Sequence, residues 1–236
     1  MDFAPRPAAL GLREVVFGAR YSVEATPSYG ARLGQEASSR VAANWRNGSN
    51  LEYRVTHFID HVQQPFTLYQ YQVDAIEYSG FRQRVAFGTP ERRALGLEGS
   101  YEALALFGGF AHQPSASLTA RLGKHFTFAA TYTHLLGHLA RRSDDFNFGF
   151  ANGNVDIAIT RNLAFDTLGR LDLSPGRQRF GLQSRLRWRF APGSDLYLVY
   201  RQDQPFGADD PMQAPRVPFH ELTLKFTYYL RSFIRR

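Results

Sequence analysis

Apolar and polar residues alternate one by one along Phe180–Arg201, FGLQSRLRWRFAPGSDLYLVYR. Leu182, Leu186, Trp188 and Phe190 share one parity with Ser184, while Gln183, Arg185, Arg187 and Arg189 hold the other. A β-strand sends successive side chains to opposite faces, so the pattern predicts one greasy face and one cationic face. Pro192-Gly193-Ser194 carries turn chemistry. The alternation then resumes, with Leu196, Leu198 and Tyr200 against Asp195, Tyr197, Val199 and Arg201. Three arginines on alternate residues cannot lie unpaired in a dry core, because an uncompensated buried charge is strongly unfavourable. The apolar face must therefore meet something apolar, and the arginine face must meet water or counter-charge.

The same period recurs along the chain. Leu12–Ala25 and Gln35–Trp45 read as strands on either side of a turn at Pro27–Gly30. Asn47-Gly48 marks a hairpin, since Asn-Gly accepts the positive φ angles of a tight turn. Leu51–Asp60 follows, with Leu51, Tyr53 and Val55 against Glu52, Arg54 and Thr56. Gln63-Gln64-Pro65-Phe66 interrupts, and Tyr71–Phe87 reads as one long strand in which Gly80 marks a bulge or a close approach. Ala94–Leu106, Ser115–Leu122, Phe126–Leu136, Phe146–Ile159 and Leu163–Leu173 continue the series, with Leu104–Phe107 also compatible with a helical turn. Glu221–Phe233 ends it: Leu222, Leu224, Phe226, Tyr228 and Leu230 oppose Glu221, Thr223, Lys225, Thr227, Tyr229 and Arg231. The count is about twelve strands, many near the roughly 9–11 residues of a tilted membrane-spanning strand. Short turns (47–50, 123–124, 160–162, 175–176, 192–194) alternate with longer loops at His61–Phe66, Gly137–Asp145 and Gln202–Pro218.

Composition narrows the classes. The chain has 236 residues, enough for one large β domain or two small ones. A mean hydropathy of -0.34, with no apolar run near the roughly 20 residues of a spanning helix, excludes a helical membrane protein. Twenty Phe and 12 Tyr favour strands. With no cysteine there is no disulfide framework, thiolate metal site or cysteine nucleophile. The net charge of +7 is spread over many strands among acidic residues, not gathered in one stripe or tail, which argues against a nucleic-acid partner. The opening MDFAPRPAALGL lacks the basic and apolar regions of a secretory signal. An exported barrel needs one, so the expectation is that the signal has been removed or that Met1 opens a piece of a longer protein.

Three features favour a membrane barrel over a soluble β protein. Aromatic residues Trp188, Phe190, Tyr200, Phe226, Tyr228 and Trp45 lie on the apolar face toward strand ends, as in the girdles at membrane interfaces. The opposite face carries small polar residues and charges of both signs, as a wet lumen does. The last strand is rich in aromatics, as is the C-terminal strand read by the barrel-assembly machinery. The predicted fold is all-β: an antiparallel up-and-down transmembrane β-barrel. Residues 1–236 would form a single barrel domain or the C-terminal part of a larger barrel. Its place would be the bacterial outer membrane, with membrane lipid and lipopolysaccharide against the apolar face. The competing reading is a soluble β-barrel that binds a ligand inside, with apolar faces inward and the Arg185–Arg189 face outward.

The segment RLRWRFAPGSDLYLVYRQ (Arg185–Gln202), followed by LTLKFTYYLRSF (Leu222–Phe233), resembles the C-terminal end of a bacterial family. These are uncharacterised outer-membrane barrel proteins with an N-terminal carbohydrate-binding-like module of the family 9 type. The upstream order of NGSNLEYRV, a QQPF turn, a long strand and several hairpins is similar as well. Family members are far longer than this chain. The resemblance implies location and fold, and an anchor for a surface or periplasmic module; it implies no activity.

Candidate chemistry is sparse. Arg185, Arg187 and Arg189, joined across hairpins by Arg201, Lys225 and Arg231, would form a basic wall able to attract small anions or acidic sugars. The structural alternative is a charge network with Asp166, Asp172, Glu221 and Asp195. His134 and His138, like His57 and His61, are four apart, about 13 Å along a strand, and no HExxH occurs, so neither a metal nor another cofactor is expected. No GxSxG motif is present, so no catalytic residues are assigned. An outer-membrane hydrolase acting on lipid or glycan would instead need a Ser/His/acid set brought together in space.

Overall fold

A computed structural model describes residues 2–7, 10–25, 32–68, 71–90, 93–139, 144–175, 178–206 and 217–229. Alternation yields strands almost throughout. In chain order they are β1 (Asp2–Phe3), β2 (Leu12–Ala25), β3 (Arg32–Trp45), β4 (Asn50–His61), β5 (Phe66–Leu68), β6 (Tyr71–Val73), β7 (Glu77–Gly88) and β8 (Leu95–Leu106). Then come β9 (Gly109–Leu122), β10 (Phe126–Leu139), β11 (Asp144–Ala158), β12 (Leu163–Asp172), β13 (Arg179–Ala191), β14 (Ser194–Pro205) and β15 (Phe219–Thr227). Thirteen of them hydrogen-bond in sequence order, interrupted only by a separate β5–β6 hairpin between β4 and β7. The fold is thus all-β and up-and-down, and each pairing with a described register is antiparallel.

Several local expectations are corrected. Tyr71–Phe87 is not one strand: β6 ends at Val73, and β7 begins at Glu77. The loop expected from Gly137 is shorter, because β10 runs to Leu139 and β11 starts at Asp144. Leu104–Leu106 is strand, and the chain reverses at Phe107-Gly108 with φ angles of 45° and 81°. Two successive positive φ angles suit the twist of a tight hairpin, but a phenylalanine rarely adopts one. Its ring lies edge-on to Tyr78 and Phe66, at centroid distances of 5.4 and 5.7 Å. The Asn47-Gly48 turn forms as expected: Gly48 has φ 88°, and the Ser49 amide donates to Asn47 Oδ1 at 2.9 Å.

The chain divides into two compact units: Met1–Arg92 with Gly96–Ala116 and Thr133–Asn147, and Arg93–Leu95 with Ser117–Tyr132 and Phe148–Arg236. In the first unit the two faces of the sheet differ in the sense opposite to a soluble sheet. Along β4, Leu51 and Tyr53 are 44% exposed, whereas Thr56 and Phe58 on the charged face are 5% exposed. Along β7, exposed Phe81, Val85 and Phe87 alternate with half-buried Arg82 and Arg84. Phe107 packs edge-on against Tyr78 and against Phe66 of the β5–β6 hairpin, and Phe58, Tyr78 and Val73 are buried.

Gly80 is the close approach expected from the sequence. A Cβ there would fall 2.2 Å from Ala105 Cβ and 3.3 Å from the Phe58 ring. Gly80→Val should therefore lower the urea midpoint of the refolded chain, by about 1–3 kcal/mol in stability. An unchanged midpoint would show that Phe58 and Ala105 yield freely.

Candidate functional site

In the second unit the arginine row takes shape from register. Antiparallel pairing sets Asp166 opposite Arg185, Asp195 opposite Arg189, and Glu221 opposite Arg201. Arg185 Nε donates to Asp166 Oδ1 at 2.9 Å. Arg187 and Arg189 share Asp195 at 3.7 and 3.5 Å, and Arg201 lies 3.8 Å from Glu221. Asp172 instead accepts from the Ser174 amide at 2.9 Å. Lys225 faces Tyr197 across the ladder and makes no ion pair among the described residues. Arg231 lies outside the described residues. The expected basic wall is therefore a row of neutralised pairs along one face, with Lys225 beside it.

The other face of the same strands carries the aromatic residues. Phe190 stacks on Phe226 at 5.4 Å and on Tyr228 at 6.4 Å, and Trp188 meets Phe190 at 5.9 Å. Tyr200 is not in this cluster. It lies farther along the face, where its hydroxyl is 2.9 Å from His220 Nδ1. Between the two lie the rungs Trp188–Leu196–Phe226 and Leu186–Leu198–Leu224. Phe190 and the Tyr200 rung are six residues apart along β13, about 20 Å at the usual strand rise. Along this face the order is therefore aromatic rings, then an aliphatic band, then a Tyr–His pair.

A richer polar cluster, missed in the sequence, lies in the first unit. One rung across β2, β3, β4, β7 and β8 reads Gly18, Arg40, Arg54, Arg84, Glu102. The next rung reads Arg20, Ser38, Thr56, Arg82, Leu104. Like charges directly opposite each other are unfavourable unless neutralised. Glu52 takes Arg54 at 2.8 Å and Arg40 at 3.9 Å, and Asp2 takes Arg40 at 3.1 Å. Arg82 lies 3.2 Å from Glu102 and 3.9 Å from Glu36, with its guanidinium 5.6 Å above the Phe58 ring. Arg20 and Arg84 make no ion pair among the described residues, and both line a cavity of about 340 Å³. The signal was available: Arg20, Arg40, Arg54, Arg82 and Arg84 all fall on the polar parity of their strands. Only register shows that they are neighbours.

The histidines take separate partners. His138 pairs with Asp145 at 2.8 Å, His61 with Glu77 at 3.3 Å, and His134 with Asn147. Among the described residues no three His, Asp or Glu side chains are placed to hold a metal ion.

No protein-family model and no curated protein matches the sequence. Among solved structures, the chain is similar to a NanC porin in a rhombohedral crystal form. The identity is 12%, the match covers 93% of this chain and 100% of that one, and the TM-score is 0.39.

Asp195 serves two guanidinium groups and Lys225 serves no carboxylate. Asp195→Asn should lower the urea midpoint, by about 1 kcal/mol in stability for an exposed network, whereas Lys225→Met should leave it within about 0.5 kcal/mol. Equal losses for both variants would show that the row is not held by its pairs.

Proposed function

We propose that this chain is an outer-membrane β-barrel whose apolar strand faces meet lipid and whose charged faces line a polar path for small solutes. The observation that carries the reading is the exposure of the apolar face. Leu222, Leu224 and Phe226 are 61–68% exposed, and Trp188 is 50% exposed. In a soluble sheet these residues would lie beneath a second layer. Guanidinium groups Arg185, Arg187 and Arg189 sit on the opposite face with carboxylate partners, as charges do on a lumen wall. Twelve of the described strands run from 9 residues in β15 to 15 in β11 and have the length to cross a bilayer at a tilt.

The partners follow from the same surfaces: membrane lipid and lipopolysaccharide on the apolar face, and the assembly machinery at the aromatic C-terminal strand. An anchoring role for a sugar-binding-like module rests on the resemblance of Arg185–Gln202 and Leu222–Phe233 alone. The role is passive, and no residue is assigned to catalysis.

Two neighbouring residues of β15 test the reading. Leu224→Arg puts a charge on the apolar face and should cost about 2–4 kcal/mol of insertion near the bilayer midplane. Thr223→Arg adds the same charge to the polar face and should be tolerated. The fraction of chain that resists unfolding in detergent without heating, after refolding into vesicles, reads both. If Thr223→Arg impairs insertion more than Leu224→Arg, the faces are assigned the wrong way round.

A further inference from the structure

The polar face of the second unit carries an aromatic ring where charge is the rule. Phe219 shares the parity of Glu221, Thr223 and Lys225 on β15, and it is 52% exposed. Register places it on one rung with Asn152, Arg170, Gly181 and Asp203. The next rung reads Asn154, Leu168, Gln183, Arg201, Glu221, so a second apolar side chain, Leu168, stands on the same face. Leu168 and Phe219 are three strands apart, about 14 Å between backbones at the usual strand spacing. Both line a cavity of about 380 Å³.

Gly181 opens the floor of that cavity. A Cβ there would meet only Arg170 Cβ at 3.9 Å and the Gln202 carbonyl oxygen at 4.0 Å, and its backbone lies outside the left-handed region. Neither conformation nor packing calls for glycine, and its missing side chain leaves a depression between Arg170 and Asp203. The charges around the depression balance. Arg179 lies 3.3 Å from Asp203, Arg201 lies 3.8 Å from Glu221, and Asp172 stands on the rung beyond Arg170, about 7 Å along β12. Three guanidinium groups therefore stand among three carboxylates, with no surplus charge to hold an ion. Hydrogen-bonding capacity remains, because a guanidinium has more donors than one carboxylate takes up. Asp203 keeps Oδ1 buried beside Arg179, yet its side chain is 43% exposed. The Gln183 side chain makes no hydrogen bond among the described residues.

We propose that this cavity binds a neutral pyranose sugar over Gly181, packed between Phe219 and Leu168, with its hydroxyls on Arg170, Gln183 and Asp203. A pyranose combines apolar C–H faces with a rim of hydroxyls that both donate and accept. The cavity combines two apolar side chains with planar donors and an acceptor at zero net charge. An anion would meet the carboxylates as readily as the arginines. The inference names a solute class for the polar path and rests on that reading.

The test uses the full chain refolded in detergent micelles, with ligand binding followed by saturation-transfer NMR. The probes are the methyl glycosides of glucose, galactose and mannose, with mannitol as an open-chain polyol and tartrate as an anion. At least one glycoside should bind about tenfold more tightly than mannitol or tartrate, with transfer strongest at its ring C–H protons. Gly181→Val fills the depression with a side chain suited to a strand and should weaken that glycoside about tenfold or more. Phe219→Ala should weaken it about tenfold, Phe219→Trp should retain it, and Lys225→Met should leave it unchanged. If Gly181→Val fails to fold, the Phe219 pair and the ranking of probes on the unaltered chain decide. Glycosides that bind no better than mannitol, or tartrate that binds more tightly than all three, overturn the sugar site. So does a Phe219→Ala chain of unchanged affinity. Insertion of the same preparation into vesicles is read separately: a chain that inserts but ignores the glycosides disproves the site alone. A chain that binds a glycoside but stays out of vesicles disproves the membrane assignment alone.

Discussion

Hydrogen bonds between neighbouring strands are the constraint on which this structure depends, joining thirteen strands into one sheet. Among the described residues the buried apolar side chains are few, and most large ones on the apolar face are exposed. A soluble domain of this length draws its stability from burying one sheet face against another layer. Here the ladders run with few register shifts, unbroken from Leu163 to Asp172 against β13 and from Asp195 to Asp203 against β15. Such continuity leaves the backbone amides and carbonyls along these ladders paired with a neighbouring strand.

The pleat then decides what each face is made of. Successive residues must point opposite ways, so a strand that offers leucine to one side offers arginine to the other. The two units handle the resulting rows of arginine differently. In the second, every guanidinium of the Arg185–Arg189 row has a carboxylate within 4 Å, and the row closes on itself as an electrostatic network. In the first, three arginines share a rung, Arg54 and Arg40 are neutralised from the rung beside it, and Arg84 faces Glu102, which also lies against Arg82.

The aromatic cluster at one end of the first unit shows the same economy. Phe107 occupies a backbone conformation that suits glycine, and the rings of Tyr78 and Phe66 pack against it there. The β5–β6 hairpin contributes Phe66 to this packing. Elsewhere in the same unit the Arg82 guanidinium lies over the buried Phe58 ring.

Strand identity, the parity of each residue and the hairpin at Asn47-Gly48 were legible in the sequence, because a period of two and turn chemistry are local properties. So was the separation of Arg185–Arg189 from Leu186 and Trp188, since adjacent residues on a strand cannot share a face. Local pattern could not say which arginines are neighbours. Arg20, Arg54 and Arg84 are far apart in sequence, and a shift of one residue in any register would have turned each to the other face. Nor could it show that Asp195 serves two guanidinium groups, that Tyr200 stands apart from the Phe190 cluster, or that Tyr71–Phe87 breaks after Val73 to seat a hairpin on Phe107. Those facts depend on which rung meets which. Rungs are set by the pairing of whole strands, a long-range choice that only the tertiary structure makes.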